Sequence, residues 1–186
     1  MAKQCIFILG GARSGKSRYA QELAGKLSDK VLFVATGEAL DEEMQARISH
    51  HKKDRPESWR TLESPTNIGR QIEQRIGDAE VVLIDCLTLL VSNLLGNEPD
   101  YSKAEKQLMA EINELIACID KLDASFIIVS NEVGMGLVPE TRLGRIYRDM
   151  LGKANQLITH HASEVYFMAA GIPVKIKVKP RSDEKE

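Results

Sequence analysis

No stretch of this chain approaches the run of about 20 apolar residues that a membrane-spanning helix requires, so no helical span is expected. Charge of one sign is missing as well: 25 Lys and Arg stand against 27 Asp and Glu, a formal net charge of −2 at pH 7. Bulk electrostatics therefore gives no reason to expect nucleic acid or an anionic membrane as partner. Cysteine is scarce, with 3 in 186 residues, at Cys5, Cys86 and Cys118. They form neither a CxxC pair nor a zinc-ligand spacing, which leaves buried thiols in a reducing compartment as the reading. The chain enters an apolar run almost at once, leaving no room for a signal peptide, and the expectation is a cytoplasmic protein. Internal repeats and linkers are also lacking. A single domain is expected over 1–178, with enough residues for a real core. The charged segment 179–186 has no apolar anchors and reads as a frayed tail.

What the chain does have begins at Gly10-Gly11-Ala12-Arg13-Ser14-Gly15-Lys16-Ser17. This stretch follows the apolar run Cys5–Leu9 and precedes a helical pattern carrying Tyr19, Ala20, Leu23 and Leu27. It fits G-x-x-x-x-G-K-[ST] in the context that gives the motif meaning: buried strand, glycine-rich turn, helix start. Glycines let backbone N–H groups close around phosphate oxygens, and the helix N-terminus adds partial positive charge. Lys16 is placed to reach the β- and γ-phosphates, and the Ser17 hydroxyl to ligate Mg²⁺. A nucleoside triphosphate is the expected ligand.

Short apolar runs alternate with longer periodic segments along the rest of the chain, the pattern of an α/β protein with a mostly parallel sheet. Strands are expected at Val31–Thr36, Trp59–Glu63, Val81–Ile84, Phe126–Val129, Val165–Ala169 and Val174–Lys177. The last alternates apolar and charged residues and reads as an edge strand, joined to its predecessor through Gly171-Ile172-Pro173. Helices are expected at Leu40–Lys53, which Arg55-Pro56 ends, at Ile68–Ile76, and at Leu87–Leu95. A longer helix opens on a Ser102–Glu105 capping box, and another runs from Pro139 to about Ala162.

In open α/β sheets the ligand sits beyond the carboxyl ends of the strands. Those ends carry the phosphate loop, Thr36-Gly37-Glu38, Asp85 and Ser130-Asn131-Glu132. Asp85 is placed to hold Mg²⁺ beside Ser17, directly or through water, unless it merely caps the next helix. Ser130, Asn131 and Glu132 fit either phosphate contacts or ordinary loop hydrogen bonding. Ile48-Ser49-His50-His51-Lys52-Lys53-Asp54-Arg55-Pro56 taken alone is a solvated basic helix end. Beside a nucleotide, a neutral imidazole can instead attack phosphorus and form a covalent intermediate, with Lys52 and Lys53 stabilising the transferring phosphate. His160-His161 lacks such surroundings and reads as structural.

Several blocks together resemble one family. They are Gly10–Ser17, Ala35-Thr36, Leu40–Met44, Arg47–Lys52, Arg55–Thr61, Asp85–Thr88, Asn93–Leu95, Ser130–Glu140 and Gly171–Lys177. The chain is similar to the bifunctional adenosylcobinamide kinase / adenosylcobinamide-phosphate guanylyltransferases from about Ile6 to Lys177. The Asn131–Glu140 block is far more specific than the phosphate loop. The resemblance implies a P-loop NTPase fold of RecA-like type and a homotrimer. It implies that ATP or GTP phosphorylates adenosylcobinamide, and that GTP then donates GMP to the product, releasing pyrophosphate. It places the GMP-accepting histidine at His50, with Lys16 as the other catalytic residue. Nucleotide contacts carry over to Gly10, Gly11, Ala12, Arg13, Ser14, Gly15, Lys16, Ser17, Val34, Ala35, Thr36, His51, Lys52, Lys53, Asp54, Glu63 and Asp85. Ser17 and Asp85 carry over as the Mg²⁺ ligands. The alternatives are a generic P-loop small-molecule or nucleotide kinase, with Arg142, Arg145 and Arg148 as a lid, and a non-enzymatic nucleotide-binding regulator.

Overall fold

The computed structural model describes residues 3–37, 55–96 and 100–178. The expected helix at 40–53, the stretch His50–Asp54 and the tail 179–186 lie outside the described residues. Seven strands form one sheet: β1 (Cys5–Gly10), β2 (Val31–Ala35), β3 (Arg60–Glu63), β4 (Val81–Asp85), β5 (Ser125–Asn131), β6 (Glu164–Ala169) and β7 (Ile172–Val178). Their spatial order is β3-β2-β4-β5-β1-β6-β7, and every neighbour pair is parallel except β6 and β7. The five described helices are α1 (Lys16–Leu27), α2 (Ile68–Arg75), α3 (Leu87–Gly96), α4 (Tyr101–Lys121) and α5 (Arg142–His161).

Alternation along the central strands divides the core into two layers. Phe7, Leu32, Val34, Val82, Ile84, Phe126 and Ile128 point to one face, where α2, α3, α4 and α5 lay Ile72, Leu90, Ile112 and Leu151 against them. Ile6, Ile8, Phe33, Leu83 and Ile127 point to the other face and meet Ala20 and Ala24 of α1, with Trp59. A strand covered on both faces must be apolar at nearly every position, and β1, β2 and β4 are. Small alanines on the buried side of α1 let that helix lie close to the sheet.

Three local readings need correction. The long helix α4 is capped by Asp100, not Ser102: the Asp100 carboxylate accepts from the N–H groups of Ser102 at 3.0 Å and Lys103 at 3.4 Å. An anion at that end also suits the helix dipole, and Glu105 is engaged instead by Lys153. The β6–β7 turn is Ala170-Gly171, with φ of 50° and 85°. Positive φ at both central residues suits the tight hairpin twist. Ile172 and Pro173 already belong to the strand, and proline is tolerated because β7 is an edge. The last long helix starts at Arg142, with the Thr141 hydroxyl accepting from Gly144 N–H.

A candidate nucleotide site at the strand ends

The phosphate loop bridges β1 and α1. At Gly10, φ is 156°, and a Cβ there would come within 2.6 Å of Met168 O and 2.8 Å of Ser14 Oγ. Only glycine fits such a close approach. Gly15 is the N-cap of α1, at φ 90°, so the helix's first amides face the strand ends. Lys16 is buried, its ammonium folded onto the loop, donating to Gly11 O at 2.6 Å and Ser14 Oγ at 3.4 Å. Burial pulls that ammonium below its ordinary value, with Cys86 and Asp85 opposing.

A cavity of about 430 Å³ opens beside this loop. Ala12, Arg13, Ser14, Gly15, Lys16 and Ser17 line it, as do Ala35, Arg55, Asp85 and Asn131. Parallel register explains the far wall. Ala35 lies beside Glu63 on β3 and beside Asp85 on β4, so the three form one row, of which Ala35 and Asp85 line the cavity while Glu63 is exposed outside it. Alternation from Val81 and Leu83 turns Asp85 toward the α1 side of the sheet, where Lys16 begins its helix. Two positions back, Thr61 pairs with Phe33. Above it lies Arg55, whose guanidinium carbon is 3.5 Å from the Phe33 ring centroid. Desolvation lowers the pKa of Arg55, while Asp85 and Glu63 push it up.

The expected contacts thus divide. Ala12 to Ser17, Ala35 and Asp85 line the cavity, and Gly10 and Gly11 shape its loop. Val34 is fully buried, its side chain packed in the opposite core layer away from the cavity. Thr36 is also fully buried. Its hydroxyl donates to Cys86 O at 2.6 Å and accepts from Cys86 N–H at 2.8 Å, closing the ends of β2 and β4 together. Asn93 supports the same junction, donating to Thr36 O at 2.8 Å and Pro65 O at 3.0 Å.

At the end of β5, Asn131 reaches the cavity, whereas Ser130 is buried and donates to Asn155 Oδ1 at 2.7 Å. The Glu132 carboxylate accepts from Gly134 N–H at 2.6 Å, folding back on its own loop. His161 sits 3.3 Å from Asp120, a structural contact far from the loop in the fold. Two of the three arginines that would make a kinase-type lid are differently occupied: Arg145 donates to Pro139 O and Glu140 O, and Arg142 lies over Tyr101. Neither lines the cavity. Arg55 and Thr88, whose hydroxyl accepts from Asn131 N–H at 2.8 Å, were not among the expected site residues. The signal for Arg55 was its place directly after the basic run His50–Asp54.

Serine and aspartate oxygens lining one cavity are the hard donors Mg²⁺ prefers. No group of three or more His, Cys, Asp or Glu suited to a metal occurs among the described residues.

A family model described as "Cobinamide kinase / cobinamide phosphate guanyltransferase" matches residues 6–176. The chain is 47% identical over 180 residues to the "Bifunctional adenosylcobalamin biosynthesis protein CobU" of Escherichia coli (strain K12), covering 92% of this chain and 99% of that one. It is 44% identical over 180 residues to the protein of the same description from Salmonella typhimurium, with coverage of 92% and 99%. A Pseudomonas aeruginosa protein, "Bifunctional adenosylcobalamin biosynthesis protein CobP", is 40% identical over 174 residues, with coverage of 93% and 97%. Among solved structures, an ATPase domain superposes with a TM-score of 0.51 at 15% identity, covering 89% of this chain and 69% of that one. That likeness concerns the fold, which is of the P-loop ATPase type.

Proposed function

The chain belongs to the cobinamide kinase / cobinamide phosphate guanyltransferase family, and on that premise we propose that the cavity beside Gly10–Ser17 serves both of its reactions. The protein is a bifunctional transferase of adenosylcobalamin biosynthesis, acting as kinase and as guanylyltransferase. The observation that carries the site assignment is the convergence of Lys16, Ser17 and Asp85 on one cavity at the strand ends.

In the kinase step the loop amides and Lys16 hold the triphosphate of ATP or GTP. The side-arm hydroxyl of adenosylcobinamide attacks the γ-phosphorus, the γ-phosphoanhydride bond breaks, and a nucleoside diphosphate leaves. Lys16 must leave Gly11 O for the phosphates, and its depressed pKa is relieved as it meets their charge. In the guanylyl step the same loop holds the β- and γ-phosphates of GTP while an imidazole nitrogen of His50 attacks the α-phosphorus. A P–N bond forms, the α–β P–O bond breaks, and pyrophosphate leaves. The phosphate of adenosylcobinamide phosphate then displaces the imidazole, giving adenosylcobinamide-GDP. Mg²⁺, held by Ser17 and Asp85, would supply charge neutralisation at the phosphates. His51, Lys52, Lys53, Asp54 and Glu63 complete the nucleotide contacts on this reading, with Val34 and Thr36 contributing through backbone.

The described chain forms one sheet, and the reading extends to one domain over 1–178 with a tail at 179–186, working in the cytoplasm without nucleic acid. No described helix is long and apolar enough to cross a membrane. The reading extends to a homotrimer; apolar side chains left at the surface, among them Leu137 at 96%, Met135 at 79% and Ile172 at 65% exposure, support association without specifying its number. The test supplies adenosylcobinamide, GTP and Mg²⁺ and identifies products by mass. Adenosylcobinamide-GDP with pyrophosphate is expected, and with α-labelled GTP alone, an acid-labile adduct that His50→Ala abolishes. Phosphorylation confined to nucleosides or nucleotides would sink the reading.

A further inference from the structure

We propose that Arg55 is the cavity's second phosphate receptor, taking a phosphate that the Gly10–Ser17 loop does not hold. The inference rests on the reading that a nucleoside triphosphate occupies this cavity.

Arg55 is held but not satisfied. Its guanidinium carbon lies 3.5 Å from the Phe33 ring centroid, a stack that holds the group in the lining of the cavity. Ala35, two positions ahead of Phe33 on the same face, carries only a methyl group there. Among the described residues the one hydrogen bond of Arg55 is long, 3.5 Å from Nη1 to Thr61 Oγ1. Its Nε is buried and has no acceptor among them. Asp85 and Glu63 act on it as charges, yet no ion pair to Arg55 forms among the described residues. An unmet donor on a desolvated cation is costly, and such groups persist where something else completes them.

Phosphate is the chemistry that fits. The guanidinium fork matches paired phosphate oxygens, and Arg55 lines the same cavity as Lys16 and Ser17. The loop and Lys16 are committed to the terminal phosphates, so Arg55 addresses the next one. Two sources offer it: the α-phosphate of the nucleotide, and the phosphate of adenosylcobinamide phosphate as acceptor.

The experiment uses the full chain with Arg55→Met and Arg55→Lys, after circular dichroism confirms folding. Titration calorimetry measures GTP and pyrophosphate binding with Mg²⁺, and steady-state kinetics measures KM for adenosylcobinamide phosphate. If the α-phosphate is the partner, the Kd for GTP rises about 10- to 100-fold in Arg55→Met, the weight of a charge-assisted bond. Pyrophosphate binding then stays unchanged. If the acceptor is the partner, GTP binds as before and the KM for adenosylcobinamide phosphate rises by a similar factor. In either case Arg55→Lys recovers part of the loss, and it stands in alone if Arg55→Met does not fold. Unchanged GTP affinity together with unchanged KM overturns the proposal, as does equal weakening of GTP and pyrophosphate. Failure of the unmutated protein to bind GTP at all would instead strike the nucleotide reading beneath it.

Discussion

Replacing Thr36 with valine tests whether its hydroxyl belongs to the fold or to the nucleotide. Valine keeps the shape and loses both hydrogen bonds to Cys86, at 2.6 and 2.8 Å. The two losses are unequal. Cys86 O keeps a long bond from Leu90 N–H at 3.4 Å, whereas no other acceptor for Cys86 N–H is in place among the described residues. Leaving one buried donor unpaired costs about 1–3 kcal/mol, and weakening the carbonyl's bonding adds about 0.5–1 kcal/mol. The expected loss is about 3 kcal/mol, which for a domain of this size lowers Tm by about 6–12 °C. Thr36→Ser keeps the hydroxyl and gives up a buried methyl, so it should cost only about 1 kcal/mol. Differential scanning calorimetry of both variants separates them from the parent. Because the bonds hold the chain directly after Asp85, Thr36→Val should also lower kcat more than it raises the Kd for GTP. A valine variant that melts with the parent but binds GTP weakly would refute this account, because the hydroxyl would then serve the nucleotide.

Glu111 is the other polar group on which folding leans: it is buried, and its carboxylate accepts from Asn67 N–H at 2.9 Å and Ile68 N–H at 2.6 Å, anchoring the start of α2. Denaturant unfolding should show Glu111→Ala losing about 2–4 kcal/mol and Glu111→Gln about 1–3 kcal/mol, since the amide oxygen can replace only one of the two carboxylate oxygens that accept, and the other N–H is left unpaired. Burial raises the Glu111 carboxyl above its ordinary value against those two bonds. Its contribution to stability is therefore greatest below the unfolded carboxylate range and falls as pH rises through the raised value, a slope that Glu111→Gln should remove. The cysteines give a chemical check. Burial pushes the Cys5 and Cys118 thiols up to about 12 and that of Cys86 to about 11, so iodoacetamide near neutral pH should leave the native protein unlabelled and alkylate it fully in denaturant. Rapid native labelling of Cys5 or Cys118 would contradict their burial, whereas Cys86, half-buried on the cavity wall, is held back by its raised pKa alone.

Features written in consecutive residues were legible without coordinates. The phosphate loop is one, because strand, turn and helix cap all fall within a single short stretch. The buried strands are another, since Val81–Ile84 and Phe126–Val129 can be apolar throughout only if both faces are covered. Misreadings arose where neighbouring residues compete for one role. Asp100 and Ser102 both cap helices well, and the choice between them depends on where the chain leaves α3 rather than on propensity. Pro173 looked like a turn residue because proline breaks interior strands, and only the outermost position of β7 makes it harmless.

The site itself depended on pairs far apart in the chain, and here parallel register is the deciding quantity. Thr36 and Cys86 are separated by 50 positions, and Glu63, Ala35 and Asp85 become one row only once β3, β2 and β4 are aligned. A shift of one residue in β4 would turn Asp85 toward the opposite layer and bring Ile84 to the cavity wall. The same shift would separate the Thr36 hydroxyl from Cys86. The Thr36 bonds therefore do more than close two strand ends: they lock the register that faces a carboxylate toward Lys16. On this argument a conservative change at a fully buried threonine should disturb group transfer as surely as a change in the Gly10–Ser17 loop.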